Sequence, residues 1–372
     1  MSSETTKKED ITQEKLWAEN CWYVVAMSDE LQTLSQHNKT QPLTNHRPLG
    51  RIIANKHIVM YRDNQGDVHA LEDFCPHRGL PLSKGYIDSD KDKLVCGYHG
   101  MVMNCDGTCH SMPGQNVDRL RGIQSYPVID KYNFIWIWIG DSEKANEDLI
   151  PDLQWAHSND WTYGGDYYHM KCDYRLLIDN LMDLTHETYV HASSIGQSEI
   201  EDAAPTTSQH DNEIRVERLM ENIVPPPFWG DALEANNISR NTVCDRWQVC
   251  RFVPPSQVMI DVGVAVAGKG AQDAPKDQRV SAIVVDLITP ETETTCHYFW
   301  GMARNFNVSN RQLTKEMREA QGKIFAEDLD ILESQQANLL RNPDRRLIPL
   351  NIDAGGVYAR RKIAKIIKQE LL

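Results

Sequence analysis

The amino-acid sequence predicts an α+β protein built on antiparallel sheets. Three observations lead there. Short runs rich in Val, Ile, Tyr and Trp, divided by turn signals such as Asp63-Asn64-Gln65-Gly66, fill the chain as far as Gly140. A second β-rich region extends from about residue 205 to 304. Helical patterning is gathered elsewhere: from about Tyr174 to His191, from about Asn310 to Leu340, and in a basic amphipathic stretch that closes the chain. Strands in runs, then helices in runs, do not fit the βαβ alternation of a parallel sheet.

Taken in order, residues 1–20 are polar and Thr-rich at their start and are expected to form a flexible extension. Strands are expected over Trp22–Val25, Arg51–Tyr61, Val68–Leu71 and Phe134–Ile139. The acidic stretch Asp141–Asp152, with Pro151 near its end, is the expected junction between domains at 21–150 and 151–372. Pro225-Pro226-Pro227-Phe228-Trp229 suggests either a lid or a plain surface connection. Gly263 to Gly270 is rich in Gly but lacks the Ser or Thr that would hold Mg2+, and it leaves an alternating strand without entering a helix. It is expected to be a loop, which leaves the chain without a nucleotide site of its own.

The 372 residues, 41% hydrophobic and 25% charged, suffice for two domains with a buried core. A formal net charge of −14 argues against nucleic acid as partner, because such binding runs on clustered Lys and Arg. No apolar run approaches the ~20 residues of a membrane span, and Met1–Asp10 carries no signal-peptide core. The expected location is cytoplasmic. Nine scattered cysteines make a poor disulfide framework, so reduced thiols and metal ligation are expected.

Two constellations carry chemistry. The first is Cys75-Pro76-His77, followed after eighteen intervening residues by Cys96-Gly97-Tyr98-His99. Each unit sits in a Gly-bearing loop, where backbone can fold closely around a metal. A Rieske-type [2Fe–2S] cluster needs two thiolates on one iron and two imidazoles on the other, and each loop offers one of each. Zinc is the alternative, but its sites pair Cys with Cys and His with His, not mixed arms. Downstream, Cys105 and Cys109-His110 flank Asp106-Gly107, a hairpin signal, and are expected to be thiols on a hairpin, not a second metal site.

The second constellation is Asp183, His186 and His191, a D-x2-H-x4-H pattern. Asp183 and His186 would share a helix face, but His186 and His191 diverge by ~140° on a regular helix. Both reach one ion only if the helix ends or bulges between them. Two histidines and a carboxylate make the facial triad that leaves positions open on Fe(II). In the long helix Leu313, Met317, Ala320, Ile324, Phe325, Ile331 and Leu332 fill one apolar arc, with Asp328 near its middle and Glu327 at its edge. An acid in mid-stripe is costly unless paired or metal-bound, so Asp328 is the expected ligand. The alternative is a helix with two satisfied histidines.

From about Trp22 onward the sequence resembles the Rieske non-haem iron oxygenases. Cys75–Gly79, Cys96–Gly100, Asp179–Ile195 and Phe325–Gln335 carry the likeness. It is most similar to the group of vanillate O-demethylase, dicamba monooxygenase and toluenesulfonate monooxygenase, with Trp300–Asn305 and Asn351–Gly356 adding to the match. Many ring-hydroxylating relatives carry Trp after Tyr-His-Gly, where Met101 stands here. The resemblance implies a Rieske domain followed by a helix-grip-like catalytic domain, with mononuclear Fe(II) on His186, His191 and Asp328. It also implies a homotrimer in which Asp183 bridges His99 of one subunit and His186 of the next. Electrons would come from a separate flavin or ferredoxin-type reductase. The implied reaction is O2-dependent O-demethylation or methyl hydroxylation of a small aromatic acid. Ring dihydroxylation and N-demethylation are the enzyme alternatives, and a non-catalytic electron carrier is the rival from another class.

Overall fold

A computed structural model describes residues 15–31, 47–88 and 92–372. The first eleven strands are β1 (Trp22–Met27), β2 (Leu49–Ile53), β3 (Lys56–Arg62), β4 (Val68–Glu72), β5 (Tyr86–Asp88), β6 (Lys93–Val95), β7 (Val102–Met103), β8 (Cys109–Ser111), β9 (Ser125–Tyr126), β10 (Val128–Lys131) and β11 (Phe134–Trp138). They form three antiparallel sheets, ordered β1-β11-β10, β2-β3-β4-β9 and β5-β6-β7-β8. The single run expected over 51–61 is two strands. Ala54 and Asn55, at φ 49° and 63°, make the tight turn between them. Cys105 lies on the β7–β8 connection and Cys109 opens β8, as expected of a hairpin.

After two capped 3-10 turns at Ser142–Lys144 and Glu147–Leu149 come α1 (Gln154–His157), β12 (Thr162–Met170), α2 (Tyr174–Leu181), α3 (Glu187–Val190) and α4 (Glu199–Asp202). Then follow β13 (Thr206–Gln209), β14 (Ile214–Ile223), α5 (Pro227–Ala235), β15 (Cys244–Val253), β16 (Gln257–Val266), β17 (Arg279–Thr292), β18 (Thr295–Arg304), α6 (Arg311–Arg341) and α7 (Ala354–Glu370). One antiparallel sheet of seven strands, ordered β12-β18-β17-β16-β15-β14-β13, carries this half.

The two faces of that sheet have different partners. Val258, Ile260, Val264, Ala282, Val284 and Tyr298 point into the core beneath α2, α6 and α7. The alternate residues Met259, Val285, Leu287 and Phe299 pack against Trp22, Trp136 and Trp138 of the three-stranded sheet. Each buried Trp removes ~150–250 Å2 from water, worth ~4–6 kcal/mol as an upper bound, so the two halves are joined by a substantial apolar contact.

Three expectations need correction. Pro225–Trp229 is no lid: Pro227 opens α5, where a missing N–H costs nothing, and Trp229 is buried beneath it. Gly263–Val266 belong to β16, and only the residues after them turn. The flexible extension expected over 1–20 does not hold for its described part. Trp17 and Ala18 are buried, and the Glu19 and Asn20 amides donate to the Glu370 carboxylate at 2.7–3.0 Å. Residues 1–14 lie outside the described part of the chain.

Candidate metal centres

The two cluster loops are built alike. Cys75 N–H donates to Leu80 O at 2.9 Å and Gly79 N–H to Cys75 O at 2.8 Å. In the second loop Cys96 N–H donates to Met101 O at 2.8 Å and Gly100 N–H to Cys96 O at 3.1 Å. Gly79 and Gly100 hold φ of 70° and 74°, where a side chain would cost ~1–2 kcal/mol. The loops thus share one hydrogen-bond frame, with His third in one and fourth in the other.

Cys75 and Cys96 are buried, whereas His77 and His99 are exposed, their ring centroids 4.6 Å apart. Burial pushes the Cys75 thiol up; backbone donors of His77 and Arg78 oppose that shift, and the adjacent Cys96 thiol adds to it. A sulfur pair inside and an imidazole pair outside suit one pair per iron. Tetrahedral zinc would instead gather all four donors around one point. Among the described residues the one set of three or more donors lying within 4.8 Å of one another is His186, His191 and Asp328.

That set rests on two interruptions: a break before His186 that the spacing does not call for, and the end of α3 between His186 and His191 that it does. Met182 caps α2, and Asp183 is extended at φ −137°, ψ 98°. A 3-10 turn, Leu184–His186, leads into α3, and His191 follows its end. His186 Nε2 lies 3.4 Å from Asp328 Oδ1 and His191 Nε2 3.2 Å from Asp328 Oδ2. Donors cis on an octahedral ion at ~2.1 Å stand about 3 Å apart, so the set fits a mononuclear iron on two imidazoles and a carboxylate. Burial would raise Asp328, but the two histidines outweigh it and bring its pKa to about 2. Burial would lower both histidines, and Asp328 outweighs it in turn, raising them.

Each imidazole is held from behind. His191 Nδ1 meets Glu327 Oε2 at 2.7 Å, an acid that the helical stripe put only at its edge. His186 Nδ1 donates to the Asp183 backbone carbonyl at 2.7 Å. This departs from expectation: Asp183 lies outside the helix, and its carboxylate accepts instead from Thr185 N–H at 3.0 Å. Asn180 Nδ2 donates to Asp328 Oδ1 at 3.2 Å. The expected apolar arc is also shifted, since Ile331 is exposed while Gln321 and Gln336, about two turns to either side of Asp328, are buried.

Sequence reasoning missed the floor beneath this turn. Glu187, between the two histidines, points into the protein, where it meets Arg246 Nη2 at 2.8 Å and Gln248 Nε2 at 2.9 Å. Arg246 also donates to Ile195 O at 2.9 Å and Gln197 Oε1 at 2.7 Å. Arg218 Nη2 reaches Thr185 Oγ1 at 2.9 Å. Residues 185 and 187 are thereby tied to β14 and β15, and His186 is left facing Asp328. On the outer side Arg360 of α7 grips Asp179 with two nitrogens at 2.6–2.9 Å. Gly355 lies so close to this break that a Cβ there would stand 2.7 Å from Met182 O.

No helix among the described residues is long and apolar enough to cross a membrane. Residues 21–127 match the family of the Rieske [2Fe-2S] domain, and residues 170–369 match the vanillate O-demethylase oxygenase C-terminal domain. The chain is 52% identical to the vanillate O-demethylase oxygenase subunit of Pseudomonas sp. strain HR199, over 95% of this chain and 96% of that one. It is 31% identical to the oxygenase component of dicamba O-demethylase from Stenotrophomonas maltophilia, over 94% of this chain and 98% of that one. The crystal structure of dicamba monooxygenase bound to 3,6-dichlorosalicylic acid superposes with a TM-score of 0.83 at 31% identity, covering 95% and 98% of the two chains. The fold, the paired cluster loops and the histidine–carboxylate set meet in one conclusion: this chain is an enzyme of the Rieske non-haem iron oxygenase family, in the group of the vanillate, dicamba and toluenesulfonate monooxygenases.

Proposed function

We propose that this chain is the oxygenase component that O-demethylates a small methoxylated aromatic acid of the vanillate type, using O2 and electrons from a separate NAD(P)H reductase. The observation that carries this reading is the 52–55% identity to two vanillate O-demethylase oxygenase subunits, spanning 96% of each. Cys75, His77, Cys96 and His99 hold the [2Fe–2S] cluster of a Rieske domain at 21–150. His186, His191 and Asp328 hold the iron of a catalytic domain at 151–372. When bound, the two groups supply single electrons and open coordination positions for O2.

The chain's own residues set the geometry. Glu327 and the Asp183 carbonyl orient the two imidazoles, each leaving its Nε2 free for the metal. Glu187 and Thr185, tied to the sheet, fix the turn between them. The methoxy carbon is hydroxylated to a hemiacetal, which loses formaldehyde and leaves a phenol; O2 and one NAD(P)H balance the reaction, with one oxygen atom leaving as water.

The working unit is a cytoplasmic homotrimer. Asp183 carries electrons between His99 of one subunit and His186 of the next, through its carboxylate on one side and its backbone carbonyl on the other. Asp183→Asn retains both metals and stops turnover; a variant that turns over normally removes the bridge. The activity is tested by anaerobic reconstitution with a surrogate reductase, followed by NADH and O2 with methoxylated, methylated and N-methylated aromatic acids. Formaldehyde released one for one with NADH from a methoxylated acid is the expected result. Two atoms of labelled O2 in one product would instead mean ring dihydroxylation.

A further inference from the structure

The sheet floor near the triad carries an acid that the metal chemistry leaves unused. Asp286, on β17, is fully buried on the face that meets α2 and α6. Its Oδ1 accepts from Tyr298 OH at 2.6 Å, while its Oδ2 has no partner among the described residues. Directly opposite in the β17–β18 register stands Trp300, 2% exposed, whose Nε1–H is likewise unpaired. Both Tyr298 and Trp300 lay their rings against Phe325, at 5.5 and 5.3 Å between centroids, and Phe325 precedes Asp328 by one turn of α6. Buried polar atoms are nearly always satisfied. A buried donor and a buried oxygen, both unpaired and carried by residues opposite in the sheet register near the iron ligands, therefore mark a place for a polar ligand group.

We propose that Trp300 Nε1 and Asp286 Oδ2 together bind a hydroxyl of the aromatic substrate, so that this chain favours methyl ethers of phenolic acids over the same acids lacking the hydroxyl. The inference rests on the aryl-ether reading above and sharpens it. A hydroxyl suits the pair in either charge state of Asp286: it accepts from Trp300, and it donates to a carboxylate or accepts from a carboxylic acid. A methoxy oxygen only accepts and so leaves an ionised Asp286 unpaired, and a substrate carboxylate would oppose that ionised form. Burial pushes the Asp286 carboxyl up to about 8; the Tyr298 hydrogen bond resists this, and the nearby Asp328 charge adds to it. A site made to hydrogen-bond a hydroxyl discriminates against the analogue without one, because its own polar atoms are then left unpaired.

The test is equilibrium dialysis of the metal-loaded, oxidised protein with 4-hydroxy-3-methoxybenzoate, 3-methoxybenzoate and 3,4-dimethoxybenzoate. The hydroxylated acid should bind at least about tenfold more tightly than the other two. Trp300→Phe, and separately Asp286→Leu combined with Tyr298→Phe so that no hydroxyl is stranded, should each erase that ratio while leaving 3-methoxybenzoate within about twofold. Equal binding of all three acids to the wild type, as a bridging water alone would give, overturns the proposal. So does a ratio that survives in both variants. If no acid binds, the subsite and the aryl-ether reading fall together. If all are bound and demethylated at an unchanged ratio, the subsite alone falls.

Discussion

Glu187→Gln removes one charge from a pair that is out of water on both sides, with side-chain exposures of 6% for Glu187 and 2% for Arg246. The guanidinium then keeps only neutral partners, Ile195 O, Gln197 Oε1 and the new amide, while Arg218 lies close by with no carboxylate bound to it in this network. Burial already disfavours the charged form of Arg246, and Glu187 is what offsets it. Breaking such a pair from one side costs about 3–5 kcal/mol, which in a domain of this size lowers the midpoint of thermal unfolding by roughly 6–20 °C. Replacing both charges, as Glu187→Gln with Arg246→Met, should restore most of the loss, because no uncompensated ion remains. Scanning calorimetry on the parent, Glu187→Gln, Arg246→Met and the double variant measures the cycle, and iron content after gel filtration reports whether the turn still holds its metal. A single variant within about 1 kcal/mol of the parent would refute the reasoning, as would a double variant no better than the worse single one.

Three further outcomes are expected. Glu327→Ala frees the back of His191 and should weaken iron binding about 10–100-fold, measured by competition with a chelator, while the cluster absorbance stays unchanged. Gly355→Ala would set a Cβ 2.6 Å from Val216 Cγ2 and 2.7 Å from Met182 O; a loss of ~1–3 kcal/mol in urea unfolding is expected, and no loss would mean that α7 shifts freely. Asp286 sets a pH dependence: its folded pKa of about 8 is far above the ~3.9 of an unfolded Asp. Between those values the folded state holds a proton that the unfolded state has released, so its contribution declines as pH rises from about 4 and levels off above about 8. Urea midpoints at several pH values should fall more steeply for the metal-stripped wild type than for Asp286→Asn; parallel profiles would show that the acid does not stay protonated.

The cluster loops were legible because each Cys, its His and its Gly sit within five residues of one another, so the pattern is local in the sequence. Asp328 was legible from helical phase, and a helix end between His186 and His191 from the arithmetic of five residues, whereas the break before His186 was not foreseen. Glu327, one position from the ligand, looked like a boundary residue because phase says nothing about which histidine lies across the gap. The Glu187–Arg246–Gln248 floor could not be found locally, since its partners are about 60 positions apart and meet only through sheet register. The shared helix face expected of Asp183 and His186 failed for a related reason: once the helix ends, i,i+3 geometry no longer describes what a residue faces. Proline deceived in α5, where three in a row suggested a loop and the last of them began a helix.

The cluster's inside-out arrangement limits how this oxygenase can trade electrons. Leu82, Leu94 and Met103 pack against Cys75 and Cys96, so the window left open among the described residues is the surface around His77 and Tyr98–His99. A donor protein and an acceptor site that both require that window either divide the two rings between them or take turns. In the proposed trimer, loading and discharge of the cluster are then separate visits to that surface.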